Sequence, residues 1–176
     1  MSTTDTQPVP HRDRIDREAR QSVPCAIATV SDTRTFADDQ SGALIESGLL
    51  GSGHIIATRT IVRDEPDRIE KTIREAIRVG AAVLITNGGT GIAKRDATFE
   101  TIDHLLERRI PGFGELFRSL SYAEIGAAAM LTRATAGTIG SLLVFCLPGS
   151  PHAVQLGMER LILPELAHLV WETTRD

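Results

Sequence analysis

The residues best suited to chemistry lie in one stretch, Thr86-Asn87-Gly88-Gly89-Thr90-Gly91, followed at once by Lys94-Arg95-Asp96. Glycines accept φ > 0 and let the backbone approach a ligand closely, so successive N–H groups can converge on a phosphate. A tight connection with no ligand has the same composition. A second glycine turn, Pro148-Gly149-Ser150-Pro151, and a second carboxylate, in Arg63-Asp64-Glu65-Pro66, complete the set. Glycine turns with carboxylates suggest a nucleotide phosphate and a divalent ion, because Mg²⁺ is a hard cation held through one or two carboxylates. Asp64 and Asp96 also stand where each could cap a helix, the one beginning near Asp67 or the one beginning near Thr98. The chain lacks both the G-x-x-x-x-G-K-[ST] and the G-x-G-x-x-G nucleotide motifs. Its five histidines have no metal-ligand spacing, and no serine sits in a nucleophile elbow.

Those residues need elements to hold them. Residues 24–30 form an apolar run without alternation, as in a parallel strand covered on both faces. Ser41 caps or begins a helix that ends near Gly51 and Gly53, and a strand follows over 54–62. A helix over 67–79 stops at Gly80, and a strand over 81–86 delivers the glycine loop. The spacing of Ile102, Leu105 and Leu106 predicts a helix over 98–108, broken by Pro111-Gly112-Phe113-Gly114. A short helix over 115–120 and a capping box at Ser121 and Glu124 come next. Residues 127–134 read as strand or buried helix, 141–147 as strand, and 151–171 as one amphipathic helix. Strands alternating with helices give an α/β fold, a three-layer αβα sandwich with a mainly parallel sheet in a single domain over 24–176. Residues 1–23, polar and carrying Pro8 and Pro10, read as a flexible arm. In such a sheet ligands bind beyond the carboxyl ends of the strands, which selects the loops 31–42, 63–66, 87–96 and 148–151.

Composition narrows the function. The chain has 176 residues and a formal charge of −4, which argues against a nucleic-acid partner, since phosphate-backbone binding needs a basic face. Arg108-Arg109 reads as a solvated helix end. No run approaches a membrane span, and the N-terminus has no secretory pattern, so a cytoplasmic protein is expected. Cys25 and Cys146 lie in apolar runs and read as buried, reduced thiols.

The ordered set of Thr86-Asn87-Gly88-Gly89-Thr90-Gly91 with Arg95-Asp96, Pro111-Gly112-Phe113-Gly114-Glu115 and Pro148-Gly149-Ser150-Pro151 resembles the MoaB/MogA family of molybdenum-cofactor biosynthesis proteins, over about 26–169. Leu120-Ser121-Tyr122-Ala123-Glu124-Ile125-Gly126 is closer to the MoaB branch. The resemblance implies molybdopterin and ATP as partners, and a molybdopterin adenylyltransferase that moves AMP from Mg-ATP to the pterin's terminal phosphate. By the same resemblance Asp64 and Asp96 match catalytic and magnesium-linked acids. Gly88, Gly89, Thr90 and Gly91, with Pro148, Gly149 and Ser150, match adenylate-side phosphate contacts, and Ser121 matches a pterin-side serine. Arg133 and Glu115 match family positions as ligand contacts. Asn87 and Phe99 depart from the pattern, where Thr or Gly and Pro are usual. A non-catalytic molybdopterin-binding or scaffold protein is the alternative, and a nucleotide pyrophosphatase like the competence-damage proteins is a third. A homo-oligomer, trimer or hexamer, is implied as well.

Overall fold

The computed structural model describes residues 21–174. Its strands are β1 (Pro24–Val30), β2 (Ile55–Val62), β3 (Val83–Asn87), β4 (Arg108–Arg109), β5 (Thr135–Ile139) and β6 (Leu142–Leu147). They form one sheet in the order β2-β1-β3-β6-β5-β4. The pairs β1–β2, β1–β3 and β3–β6 are parallel, and β5 runs antiparallel to both β6 and β4. Helices α1 (Gln40–Gly51), α2 (Pro66–Arg78), α3 (Thr98–Leu105), α4 (Pro111–Ile125), α5 (Pro151–Gly157) and α6 (Leu163–Thr174) cover the two faces.

The period of two along a strand explains both layers. In β1, Cys25 and Ile27 face the core built with Ile45 and Leu49 of α1, Phe113 and Phe117 of α4, Val154 of α5 and Leu166 of α6. Ala26 and Ala28 face the opposite core, with Ile69, Ile73 and Ala76 of α2 and Ile102 of α3. Central strands β3 and β6 are buried along their whole length, which is why Leu142–Leu147 and the Val83, Leu84, Ile85 stretch of β3 are apolar without alternation. Phe113 packs edge-on against Phe145 with ring centroids 5.2 Å apart.

The α/β sandwich follows the sequence reading, and several local readings are corrected. Pro111-Gly112-Phe113-Gly114 opens helix α4 rather than breaking one, because a proline in the first turn has no N–H to lose and its fixed φ suits the helix. Ser121 therefore lies inside α4, where its Oγ donates to the Phe117 carbonyl at 2.8 Å, so no capping box forms with Glu124. Residues 126–131 form a 3-10 turn, and the strand lies beyond them at Thr135–Ile139, running through Gly137. A Cβ on Gly137 would stand 2.2 Å from the Arg108 carbonyl, so that glycine marks close strand pairing. Arg108-Arg109 is accordingly a short edge strand, not a helix end. The C-terminal helix is interrupted by a π turn at Met158–Ile162. It lies just before Pro164, whose missing N–H leaves the carbonyl one turn back without its helical partner.

Asp39, not Ser41, caps α1, accepting from Gly42 N at 2.9 Å. Residues 1–20 of the N-terminal arm lie outside the described residues, while Val23 is buried in the core and its N–H donates to His54 Nδ1 at 3.3 Å. Cys25 and Cys146 are both buried and free, and burial pushes each thiol up to about 12. No helix among the described residues is long and apolar enough to cross a membrane.

Candidate functional site

The parallel register sets Thr29 beside Asn87 and Asn87 beside Leu147, so the loops after β1, β3 and β6 leave the sheet side by side. Gly88 N donates to the Leu147 carbonyl at 3.1 Å. Gly88 and Gly89 have φ of 95° and 64°, a conformation that L side chains rarely adopt. A Cβ on Gly88 would stand 2.2 Å from the Val30 carbonyl, and one on Gly89 would stand 2.1 Å from Thr98 Oγ1 and 2.6 Å from Asp64 Oδ2. The glycines thus let the loop close onto the protein's own strand end and carboxylate. Among the described residues no group accepts a hydrogen bond from the N–H of Gly89, Thr90, Gly91 or Ile92. Four consecutive donors are left for an anion.

The loop separates two cavities. The larger, about 450 Å³, is lined by Gly88, Gly89, Thr90, Gly91, Ser121, Pro148, Gly149 and Ser150, together with Glu124, Arg133 and His152. The smaller, about 170 Å³, is lined by residues 30–33, Asp64, Gly89, Arg95 and Asp96. Gly89 borders both. The residues matched to phosphate and pterin contacts, Gly88 to Gly91, Ser121 and Pro148 to Ser150, therefore meet in one cavity, and Asp64 and Asp96 lie across the loop in the other. Glu115 and Asn87 line neither of these two cavities.

Each side chain has an identifiable support. Ser150 caps α5, its Oγ accepting from Ala153 N at 3.2 Å, and Ser41 Oγ holds the Gly149 carbonyl at 2.9 Å. His152 Nε2 lies 3.1 Å from Glu124 Oε2 across the larger cavity's wall. Asp96 Oδ2 accepts from Ala93 N at 3.1 Å and so closes its own loop. Asp64 Oδ1 accepts from Ala97 N at 3.2 Å and from Thr98 Oγ1 at 2.8 Å. Asp64 thus steadies the start of α3, a helix distant in sequence, and neither aspartate caps the helix that follows it. Burial raises the Asp64 carboxyl above its ordinary value; the bonds from Thr98 and Ala97 oppose this, and the charges of Asp96 and Asp32 add to it.

Beneath the loop lies a buried polar network. Asn87 Nδ2 donates to Thr29 Oγ1 at 3.0 Å, Thr29 Oγ1 donates to Asp39 Oδ2 at 2.8 Å, and Arg59 pairs with Asp39 at 3.0 Å and with Glu46 at 2.6 Å. Asn87 is 1 % exposed, so its departure from the family pattern acts on this network. Its Oδ1 has no partner among the described residues.

No group of three His, Cys, Asp or Glu side chains among the described residues is placed to hold a metal ion. Magnesium asks less of the protein, one or two carboxylates with phosphate oxygens and water supplying the rest. Asp64 Oδ2 and Asp96 Oδ1 each accept no hydrogen bond among the described residues, so the donor set of the smaller cavity fits such an ion.

Three contributors escaped the sequence reading. Asp32 borders the smaller cavity, and the strand-end rule already pointed to its loop. His152 and Glu124 line the larger cavity, but no spacing links residues brought together by two different helices.

Fold and site define a class: an α/β protein whose strand-end loops carry carboxylates and N–H groups that are unpaired among the described residues. Residues 26–168 match the MoCF_biosynth family model, described as a probable molybdopterin binding domain. Molybdenum cofactor biosynthesis protein B of Bacillus anthracis is 48 % identical over 162 residues, covering 91 % of this chain and 96 % of that protein. A crystal structure of a molybdenum cofactor biosynthesis protein B superposes with a TM-score of 0.86 at 47 % identity, covering 89 % of this chain and 98 % of the other. The tungsten cofactor synthesizing protein MoaB from Pyrococcus furiosus gives a TM-score of 0.81 at 38 % identity, covering 88 % and 99 %. The chain belongs to the MoaB/MogA family of molybdenum cofactor biosynthesis proteins, on its MoaB side.

Proposed function

We propose that this protein is a molybdopterin adenylyltransferase that moves AMP from Mg-ATP to the terminal phosphate of molybdopterin. The observation that carries the proposal is the loop of residues 88–91, whose Gly89, Thr90 and Gly91 N–H groups have no acceptor among the described residues and which stands between a cavity bordered by Thr90, Ser121 and Ser150 and a cavity bordered by Asp32, Asp64 and Asp96. Two anionic ligands can meet there across a single backbone segment.

In this reading a phosphate oxygen of the pterin forms a bond to the α-phosphorus of ATP while the bond to the pyrophosphate oxygen breaks, and pyrophosphate leaves with the electron pair. The attacking group is already anionic, so no strong general base is needed, and the work is alignment and charge compensation. The loop N–H groups and Ser150 hold and orient phosphate oxygens, and Ser121 borders the cavity on the pterin side. Asp64 and Asp96 would hold magnesium, which when bound offsets the charge of the nucleotide phosphates. A cytoplasmic setting and a homo-oligomer belong to the same proposal. Exposed Leu116, Tyr122, Ile125, Met130 and Leu131, all from α4 and the turn after it, support a subunit contact.

One observation favours a non-catalytic molybdopterin-binding or scaffold role: both aspartates also have structural duties, Asp64 at the start of α3 and Asp96 within its loop. Pyrophosphate release with purified molybdopterin and Mg-ATP separates the two. The enzyme reading expects release that Asp96→Ala lowers by on the order of 100-fold or more, with cooperative unfolding retained. Molybdopterin binding without any release would select the scaffold.

A further inference from the structure

Arg133 lines the larger cavity, yet its guanidinium is committed to the protein. Nε donates to the Thr90 carbonyl at 2.8 Å, one terminal nitrogen donates to the Gly91 carbonyl, and the other pairs with the Glu100 carboxylate. The Phe99 ring lies beneath, 4.8 Å from the guanidinium carbon to the ring centroid. Its side chain is 21 % exposed. In a trans peptide the carbonyl and the N–H of one plane point in opposite directions. Holding the carbonyls of Thr90 and Gly91 therefore turns the N–H groups of Gly91 and Ile92 away from Arg133. These are two of the donors that no described residue accepts from.

We infer that Arg133 is a positioning residue, a fork that fixes the anion-binding loop by its carbonyls instead of touching the ligand itself. Glu100 and Phe99, both at the start of α3, hold that fork in place, so α3 and the segment before β5 jointly set the loop. Phe99 departs from the family's usual proline and here supplies the stacking face. Lysine cannot replace the arrangement, because a point charge does not bind two carbonyls and a carboxylate in one plane.

The inference rests on the loop being an anion site, and its test separates the two ideas. Amide signals of Gly91 and Ile92 are followed by NMR in ¹⁵N-labelled protein for wild type, Arg133→Lys and Glu100→Gln, and Mg-ATP binding is measured by calorimetry. Expected are shifted or broadened signals in both variants, with cooperative melting retained. Arg133→Lys should weaken binding roughly ten- to a hundredfold, the usual cost of losing a residue that orients a liganding group, and Glu100→Gln should weaken it less. Weakened binding in Arg133→Lys with loop signals unchanged would make Arg133 a direct ligand contact and overturn the inference. Wild-type affinity with unchanged signals would overturn it too. Signals that respond in both variants of a protein binding neither Mg-ATP nor molybdopterin would sustain the positioning role and sink the proposed function.

Discussion

Asp64 carries three demands at once: its Oδ2 closes against Gly89 and accepts no hydrogen bond among the described residues, its Oδ1 accepts two hydrogen bonds at the start of α3, and it borders the smaller cavity with Asp96. Its carboxyl is raised above the ordinary value, by burial first, with the charges of Asp96 and Asp32 adding to it. The sign follows directly. The folded state holds the Asp64 proton to higher pH than the unfolded chain, so the stability this proton confers is full below the unfolded value near 3.8 and is lost as pH rises through the folded value. Binding of a divalent cation has the opposite dependence, because it needs the carboxylate. The acid limb of magnesium-dependent turnover should therefore lie above the ordinary carboxylate range. Asp32→Asn removes one of the charges that raise it, so the limb should move to lower pH. A limb that stays in place would exclude Asp64 as the titrating group. At this scale the residue types were legible. Their partners were not: Asp64 reads as a cap for the helix next to it in sequence, and three-dimensional packing assigned it to another.

Elements give a second pH dependence. His54, just before β2, is 6 % exposed and accepts from the Val23 N–H, which ties the entry of β1 to that of β2. Burial lowers its imidazole below the ordinary 6.5, and the protonated ring cannot act as this acceptor. The unfolded chain binds the proton first as pH falls through 6.5, so the stability held by neutral His54 is present above that value and lost below it. Melting between pH 7 and 5 should show this loss, and His54→Gln should flatten it at a cost of about 1 kcal/mol at pH 7. An unchanged slope in the variant would assign the dependence elsewhere. Helix α4 teaches a related lesson about elements. Proline and glycine at 111–114 have the composition of a breaker, but helices begin as well as end at such residues, and only the packing of Phe113 and Phe117 on the sheet decides which.

For the whole molecule, the exposed apolar side chains of α4 and its following turn bear on assembly. Met130 is 82 % and Tyr122 65 % exposed, beside Ile125 and Leu131, which also line the larger cavity. Sedimentation of wild type is expected to give a trimer or hexamer, and Tyr122→Glu with Met130→Glu should shift it toward the monomer, since a subunit contact would have to desolvate both charges. A wild-type monomer would remove the oligomer from the proposal.

The sequence by itself determined the α/β class, the buried parallel strands, the loops at their carboxyl ends and the ordered motifs of the family. These are local in origin: apolar periodicity and glycine-rich turns are written over a few consecutive residues. Only the tertiary structure decided that the glycine loop is a partition between two cavities, that Asp64 supports α3, and that Arg133 holds the carbonyls of Thr90 and Gly91 from more than forty residues away. Such contacts depend on strand order and register, which bring distant segments to one sheet edge and leave no periodic trace in the chain.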